Sequence, residues 1–126
     1  METNKLKFWS RLILVAFYVM AGTNHFLNPD FYYSLIPDYL PFPKVINSLS
    51  GMIEIVLGLG FLWKATRIYA AYLIVAMLMA FIPSHIYFIN IGACIGDGLC
   101  VPMWIAWLRL LLIHPLLIWW VWYSRK

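Results

Sequence analysis

Four long runs of apolar residues, separated by short polar connections, constrain this sequence more than any other feature. A helix needs roughly twenty residues to cross the ~30 Å hydrocarbon core of a bilayer. The runs cover about 8–27, 45–63, 68–89 and 101–123. Backbone groups in the bilayer core find no water, and four runs with short loops cannot close a barrel, so each is predicted to be a helix. We therefore predict an all-α polytopic membrane protein, a single domain over residues 1–126 folded as an antiparallel bundle of four transmembrane helices.

Composition and charge agree with a membrane location. A content of 64% hydrophobic against 11% charged residues excludes a water-soluble domain of this size. Seven of the nine Lys and Arg residues lie before or at the beginning of the first run, between the second and third runs, or after the last run, and only Lys44 and Arg109 do not. Because basic residues accumulate on the cytoplasmic side, both termini are predicted to be cytoplasmic. This scattered charge does not form a nucleic-acid-binding face.

The first run has an alternative interpretation as a secretory signal peptide. The basic residues before it would form the charged region, and residues 20–22 could serve as a cleavage region. The apolar character continues past that point to Phe26, which favours a retained helix.

The connection between the first two runs, residues 28–44, is rich in proline and aromatic residues. Its prolines lack an amide donor and bias the preceding residues toward extended structure, so it cannot be one helix. Its aromatic content is too high for a solvated loop. We predict a cap over the outer mouth of the bundle or in the membrane interface. A functionless aromatic belt segment is the alternative.

Two charged residues lie deep in the spans. A rise of 1.5 Å per residue places Glu54 roughly 14 Å and Arg109 roughly 12 Å below the outer surface. Intramembrane charges normally face the protein interior and find a partner, so we predict that these two pair. The pair either joins two helices or lines a polar pocket open to the outer side.

Other polar residues point to the same outer half of the bundle. His25 and His85 lie near the outer ends of their runs, and Tyr18 and Asn47 share helix faces with His25 and Glu54. His114 is about 140° around its helix from Arg109, by the α-helical period, and is predicted to lie on another surface. No short metal-ligand spacing is present, so no metal site is predicted. The candidate pocket comprises Tyr18, His25, Asn47, Glu54, His85 and Arg109.

Cys94 and Cys100 lie in the third connection, which the charge pattern places outside. In an oxidising compartment a separation of six residues can close as a disulfide. The spacing is not Cys-x-x-Cys and no basic residue is adjacent, which argues against a catalytic dithiol. From the sequence alone, a structural disulfide and two free thiols remain alternative predictions.

Several short motifs occur in a characteristic order along the four runs. They are Ala21-Gly22 with His25-Phe26, Ile36-Pro37-Asp38-Tyr39-Leu40-Pro41, Ser50-Gly51-Met52-Ile53-Glu54, Leu57-Gly58, Thr66-Arg67, Ala70-Ala71, Phe81-Ile82-Pro83-Ser84-His85, Trp107-Leu108-Arg109-Leu110 and Trp119-Trp120. In order and spacing they resemble the DoxX-like family of small membrane proteins. In that family a Pro and a Gln usually follow the Trp-Leu-Arg-Leu segment. In this sequence Leu111 and Ile113 occupy the positions of that Pro and Gln, and His114-Pro115 follows.

The resemblance implies a four-helix bundle in the bacterial cytoplasmic (inner) membrane. One branch of the family resembles a subunit of thiosulfate:quinone oxidoreductase, which implies redox work beside a quinone pool. An animal branch resembles an assembly chaperone for nicotinic acetylcholine receptors, which implies binding to other membrane proteins.

No nucleotide loop, nucleophile with its base, or haem ligation motif is visible, so an autonomous enzyme is not supported. The leading interpretation is an accessory protein whose outer pocket binds a lipid-like or quinone-like molecule, beside membrane lipid and a membrane protein partner. One alternative is a membrane subunit of a quinone-linked oxidoreductase, in which His, Glu and Arg manage protons and a partner supplies the redox centre. Another is an assembly factor for other membrane proteins. The sequence leaves homo-oligomerisation open.

Overall fold

The computed structural model describes residues 2–95 and 100–126, and most of these lie in helices. Among the described residues there is no β-strand, and one isolated bridge joins Cys94 and Cys100. The helices are α1 (Glu2–Leu27), α2 (Pro29–Tyr33), α3 (Pro43–Gly60), α4 (Lys64–Ala80), α5 (Ile82–Asn90), α6 (Met103–Leu108), a π-helical turn (Arg109–Ile113) and α7 (His114–Ser124).

Three helical stretches of the described chain are long and apolar enough to cross a membrane. They are Glu2–Leu27, Lys64–Asn90 and Met103–Ser124, of 26, 27 and 22 residues. The predictions of an all-helical fold and of a membrane protein are thereby confirmed. Helix α3 is not among the three. It has 18 residues, and Lys44, Asn47 and Glu54 lower its apolar character.

The helix ends differ from the limits of the apolar runs. Helix α1 begins at Glu2, six residues before the predicted run. An apolar run indicates the part of a helix that lies in hydrocarbon, whereas the backbone hydrogen bonds of the helix can extend beyond it. Helix α3 begins at Pro43, where a missing amide proton costs nothing. The 28–44 connection is not one helix, but it contains the short helix α2.

Helices α1 and α3 pack antiparallel and very closely. Tyr18 lies beside Gly58, while Gly22, further along α1, lies beside Gly51, which comes earlier in α3. A Cβ atom added to Gly22 would lie 2.5 Å from the Gly51 carbonyl oxygen. The two backbones therefore touch, and glycine is required at this crossing.

The main apolar core lies in the half of the molecule that contains both termini. It draws on α1, α4 and α7 and on the end of α3, and its buried residues are Leu14, Val15, Tyr18, Phe61, Ala70, Ala71, Ile74, Met77, Leu78 and Val121. Polar contacts close this end, because Ser10 bonds Ser124 over 3.1 Å and the Trp120 indole N–H donates to the Ser10 hydroxyl over 2.9 Å. These contacts join the first and last helices.

A second, smaller core of Phe88, Ala93 and Ala106 lies at the opposite end. Between the two cores, both the third and the fourth helical runs are irregular. The third run is divided at Phe81, two residues before Pro83, which lacks the N–H that the helical ladder needs. The fourth widens into the π-helical turn just before Pro115, a common way to absorb a proline.

We expect Gly22→Ala to destabilise the protein. The added Cβ would collide with a backbone oxygen that cannot move away as a side chain could, so the helices must separate. Overpacking of this kind costs about 1–3 kcal/mol, against which Ala gains up to ~1 kcal/mol of helix propensity. Thermal unfolding in detergent should show a lowered midpoint. Thr23→Ala, at the next and exposed position, is the control and should leave the midpoint unchanged. Equal midpoints for both variants would contradict the close packing.

Candidate functional site

A cavity of about 470 Å³ lies between the two cores. Its walls come from α1, α3, the two irregular runs and the 28–44 connection. All six residues of the predicted pocket line it. His114, predicted to lie elsewhere, lines it as well. We call the side formed by Tyr18, His25, Asn47 and Glu54 the α1–α3 wall, and the side formed by His85, Arg109 and His114 the arginine wall.

The α1–α3 wall is organised by a two-point contact between His25 and Asn47. The Asn47 side-chain amide donates to the His25 backbone carbonyl over 2.9 Å, and its oxygen lies 2.7 Å from His25 Nδ1. The first bond fixes the orientation of the amide, so the oxygen must accept a proton from Nδ1. The ring nitrogen that remains, Nε2, faces Glu54.

His25 Nε2 and Glu54 Oε2 lie 3.1 Å apart, and both side chains are buried. With Nδ1 already protonated, an unprotonated Nε2 would set its lone pair against a carboxylate. One more proton must therefore lie between the two groups, on the imidazole or on the carboxyl. In either arrangement the His25–Glu54 pair has no net charge.

The predicted ion pair between Glu54 and Arg109 is not formed. Among residues 2–95 and 100–126 the ion pair made by Glu54 is with His25, and Arg109 makes none. Glu54 faces α1, on which α3 packs most extensively, whereas the Arg109 turn packs against α5. There the guanidinium carbon lies 5.9 Å from the centre of the Phe88 ring. A similar predicted depth therefore does not make the two residues partners.

His114 reaches the cavity because the helix before it is not an α-helix. The His114 backbone N–H donates to the Arg109 carbonyl, a bond across five residues that defines a π turn. This wider turn brings position 114 round toward the face of position 109, so the 140° offset calculated for an α-helix was wrong. The rings of His85 and His114 then meet at 4.9 Å and 73°.

His114 also bonds to the break in the third run. Its Nε2 lies 2.6 Å from the Leu78 carbonyl oxygen, so this nitrogen carries the proton and donates it. Leu78 lies just before the interruption at Phe81, where the helical ladder is disturbed. The bond orients His114 and ties the two irregular runs together at the level of the cavity.

Two buried polar atoms in the wall lack a hydrogen-bond partner among the described residues. They are the Tyr18 hydroxyl and Glu54 Oε2, whose contact with His25 is close but not aligned as a hydrogen bond. Tyr18 is only 1% exposed. Buried polar groups are nearly always paired in folded proteins, so these two atoms identify a place where a polar partner would be stabilising.

The 28–44 connection covers the side of the cavity that lies away from the termini. The Tyr32 ring stacks on the His25 ring at 3.8 Å, and its hydroxyl accepts a bond from Asn24 over 2.8 Å. The Ser84 hydroxyl donates to the Leu35 carbonyl over 2.8 Å, which fastens the connection to α5. The interpretation as a cap over the mouth thus has a structural counterpart. Tyr32 and Ser84 were not among the predicted site residues, and no spacing pattern indicates them.

Cys94 and Cys100 are joined by a disulfide, with their Cα atoms 4.0 Å apart. Next to it, the Val101 N–H donates to the Ala93 carbonyl over 3.0 Å. Neither cysteine lines the cavity. No cluster of three or more His, Cys, Asp or Glu side chains suited to a metal ion occurs in the described part of the chain.

A family model described as a domain of unknown function (DUF8561) matches residues 14–125. The chain belongs to the DUF8561 family. The DUF8561 match contains every residue that lines the cavity. No curated protein and no solved structure matches the chain.

The contact between His25 and Glu54 predicts which variants will be energetically coupled. In a double-mutant cycle, Glu54→Gln and His25→Phe should couple by about 0.5–1.7 kcal/mol, because removing either partner leaves the other buried and unmatched. Glu54→Gln and Arg109→Met should be additive within ~0.5 kcal/mol. Phenylalanine is the replacement chosen at position 25 because its ring can still stack on Tyr32. Unfolding free energies in detergent measure both cycles, and coupling confined to the arginine cycle would contradict the geometry.

Proposed function

We propose that this DUF8561 protein is a multi-pass protein of the bacterial inner membrane whose outward-facing cavity binds a lipid-like or quinone-like molecule in an accessory role. Its four helical runs would cross the membrane as an antiparallel bundle with both termini in the cytoplasm. The single observation that carries the proposal is an apolar cavity into which a few polar side chains converge, two of them with buried oxygen atoms that form no hydrogen bond within the described part of the chain.

The form of the cavity fits this function. Small-molecule sites typically measure about 300–1,000 Å³ and combine apolar walls with a few polar groups. Here Phe17, Leu78, Phe81 and Leu117 supply apolar surface between the two polar walls. A molecule with an apolar body and a small polar head would match this arrangement, whereas a strongly hydrated metabolite would lose water without replacement.

The proposed orientation rests on where the basic residues lie in the fold. Arg11 donates to the Ser124 carbonyl over 3.0 Å at the end that carries both termini, and Arg67 donates to the Phe61 carbonyl over 3.0 Å. The cavity and its cap belong to the opposite half. With basic residues on the cytoplasmic side, the cavity opens outward.

Thiol labelling in intact cells tests the orientation. In a background with Cys94 and Cys100 replaced, a cysteine at Lys64 should resist a membrane-impermeant thiol reagent and a cysteine at Asp38 should react. Single cysteines that replace Thr3 or Ser124 should also resist the reagent. Permeabilised cells are the control, in which the protected positions should become reactive. Labelling at position 64 in intact cells would reverse the proposed orientation.

Filling the cavity tests the binding function. Native mass spectrometry of protein purified in mild detergent should show a retained small molecule that is lost in Ala21→Phe, because Ala21 lines the cavity and the ring would occupy it. Ala16→Phe is the matched control, since Ala16 is an exposed position on the same helix, and it should retain the molecule. Retention by both variants would contradict the assignment of the cavity.

A role as membrane subunit of a quinone-linked oxidoreductase is the second candidate. The 3.1 Å contact between His25 Nε2 and Glu54 Oε2, beside the cavity, is the observation that favours it. Such a pair could pass a proton to or from a bound quinone while a partner protein supplies the redox centre. A redox protein that copurifies would support this candidate and, with it, the relationship to DoxX-like proteins.

A further inference from the structure

We infer that the ligand of the cavity is an amphiphile with one oxyanionic head, a carboxylate or a phosphate, and that Arg109 is its counter-charge. The inference rests on the proposed binding function and narrows it. It is motivated by a difference in charge between the two cavity walls: the α1–α3 wall is neutral, and the arginine wall is positive.

The α1–α3 wall is electrically balanced within itself. Asn47 accepts the proton of His25 Nδ1, so a further proton must lie between Nε2 and Glu54. The carboxyl group is thus compensated by its own neighbour. It offers no net negative charge to a guanidinium on the other side of the cavity.

The positive charge of the arginine wall has no carboxylate partner among residues 2–95 and 100–126. The guanidinium carbon of Arg109 lies over the Phe88 ring, 5.9 Å from its centre, and a ring face is only a weak substitute for a carboxylate. An unpaired charge at this depth costs a few kcal/mol or more. Five N–H donors in a planar fork suit a carboxylate or phosphate better than any uncharged group.

The neighbouring histidines define how an oxyanion would be received. His114 donates its Nε2 proton to the Leu78 carbonyl, so that proton is not available to an oxyanion. His85 packs against His114 and lines the same wall, so it can supply one N–H beside the guanidinium. A quinone, which is uncharged, would leave the charge of Arg109 uncompensated.

Competition binding tests this inference. Radiolabelled dodecanoate is bound to the unaltered protein in mild detergent, at a pH where the acid is ionised, and displaced with unlabelled dodecanoate, dodecyl phosphate, dodecanol or a short-tailed benzoquinone. We expect one or both anions to compete at least about tenfold better than dodecanol, which matches their chain but has no charge. The stronger anion identifies the head as carboxylate or phosphate. Equal competition by dodecanol or the benzoquinone would overturn the inference.

Variants locate the effect. Arg109→Gln should weaken dodecanoate binding about tenfold or more, whereas Arg109→Lys should keep the preference for the anion over the alcohol. Lys44→Gln removes a positive charge from an exposed position near the outer end of α3 and should change nothing. Asp97→Asn should also leave binding unchanged, and a tenfold gain would show that Asp97 competes for Arg109 and would overturn the inference. If Arg109→Gln does not fold, the competition series decides alone, because it needs no variant.

The outcomes separate this inference from the proposed function. If dodecanol or the benzoquinone binds as well as the anions and Ala21→Phe abolishes that binding, the cavity binds amphiphiles but Arg109 does not select anions. If no probe binds and Ala21→Phe changes nothing, the proposed function fails as well.

Discussion

The close approach of α1 and α3 determines the arrangement of the site. With no side chain at Gly22 or Gly51, the two backbones touch, and His25 is brought within two hydrogen bonds of Asn47. Helix α3 carries Asn47 and Glu54 within its apolar run, and in a bilayer these two side chains must face protein. Packing it tightly on α1 buries Asn47 and Glu54 to 2% and 7% exposure and gives each a partner. A looser crossing would leave a carboxyl group in hydrocarbon.

The other side of the cavity is built on different principles. Pro83 interrupts the third run and the π turn widens the fourth, and the two interruptions face each other across the His114–Leu78 bond. Irregular backbone within a membrane is tolerated only where protein or a cavity surrounds it. The departures from helical geometry therefore occur where a site can use them, and they turn both Arg109 and His114 toward the same space.

Much of the fold and part of the site could be predicted from the sequence. Apolar run length identified the helical stretches, and the rule that polar residues face the interior selected six side chains that do line one cavity. Partner choice could not be predicted in this way, because rise per residue gives depth and says nothing about which helices are adjacent. Glu54 and Arg109 have similar predicted depths but lie on different walls. His114 was missed because a constant 100° per residue was assumed, although Pro115 signalled a local change of period.

The partner of Glu54 bears on the two interpretations of the buried charges. A contact that only joined helices would be complete once each charge had a partner, and the His25–Asn47–Glu54 group is such a contact. It links α1 to α3 and needs nothing from Arg109. The guanidinium therefore contributes no helix-joining ion pair within the described residues, yet it lies in a setting where an unpaired charge is costly. Under the proposed function, a ligand with an oxyanionic head would balance the charge that the described residues leave without a carboxylate, and the chemical selectivity of the cavity would then lie on the arginine wall.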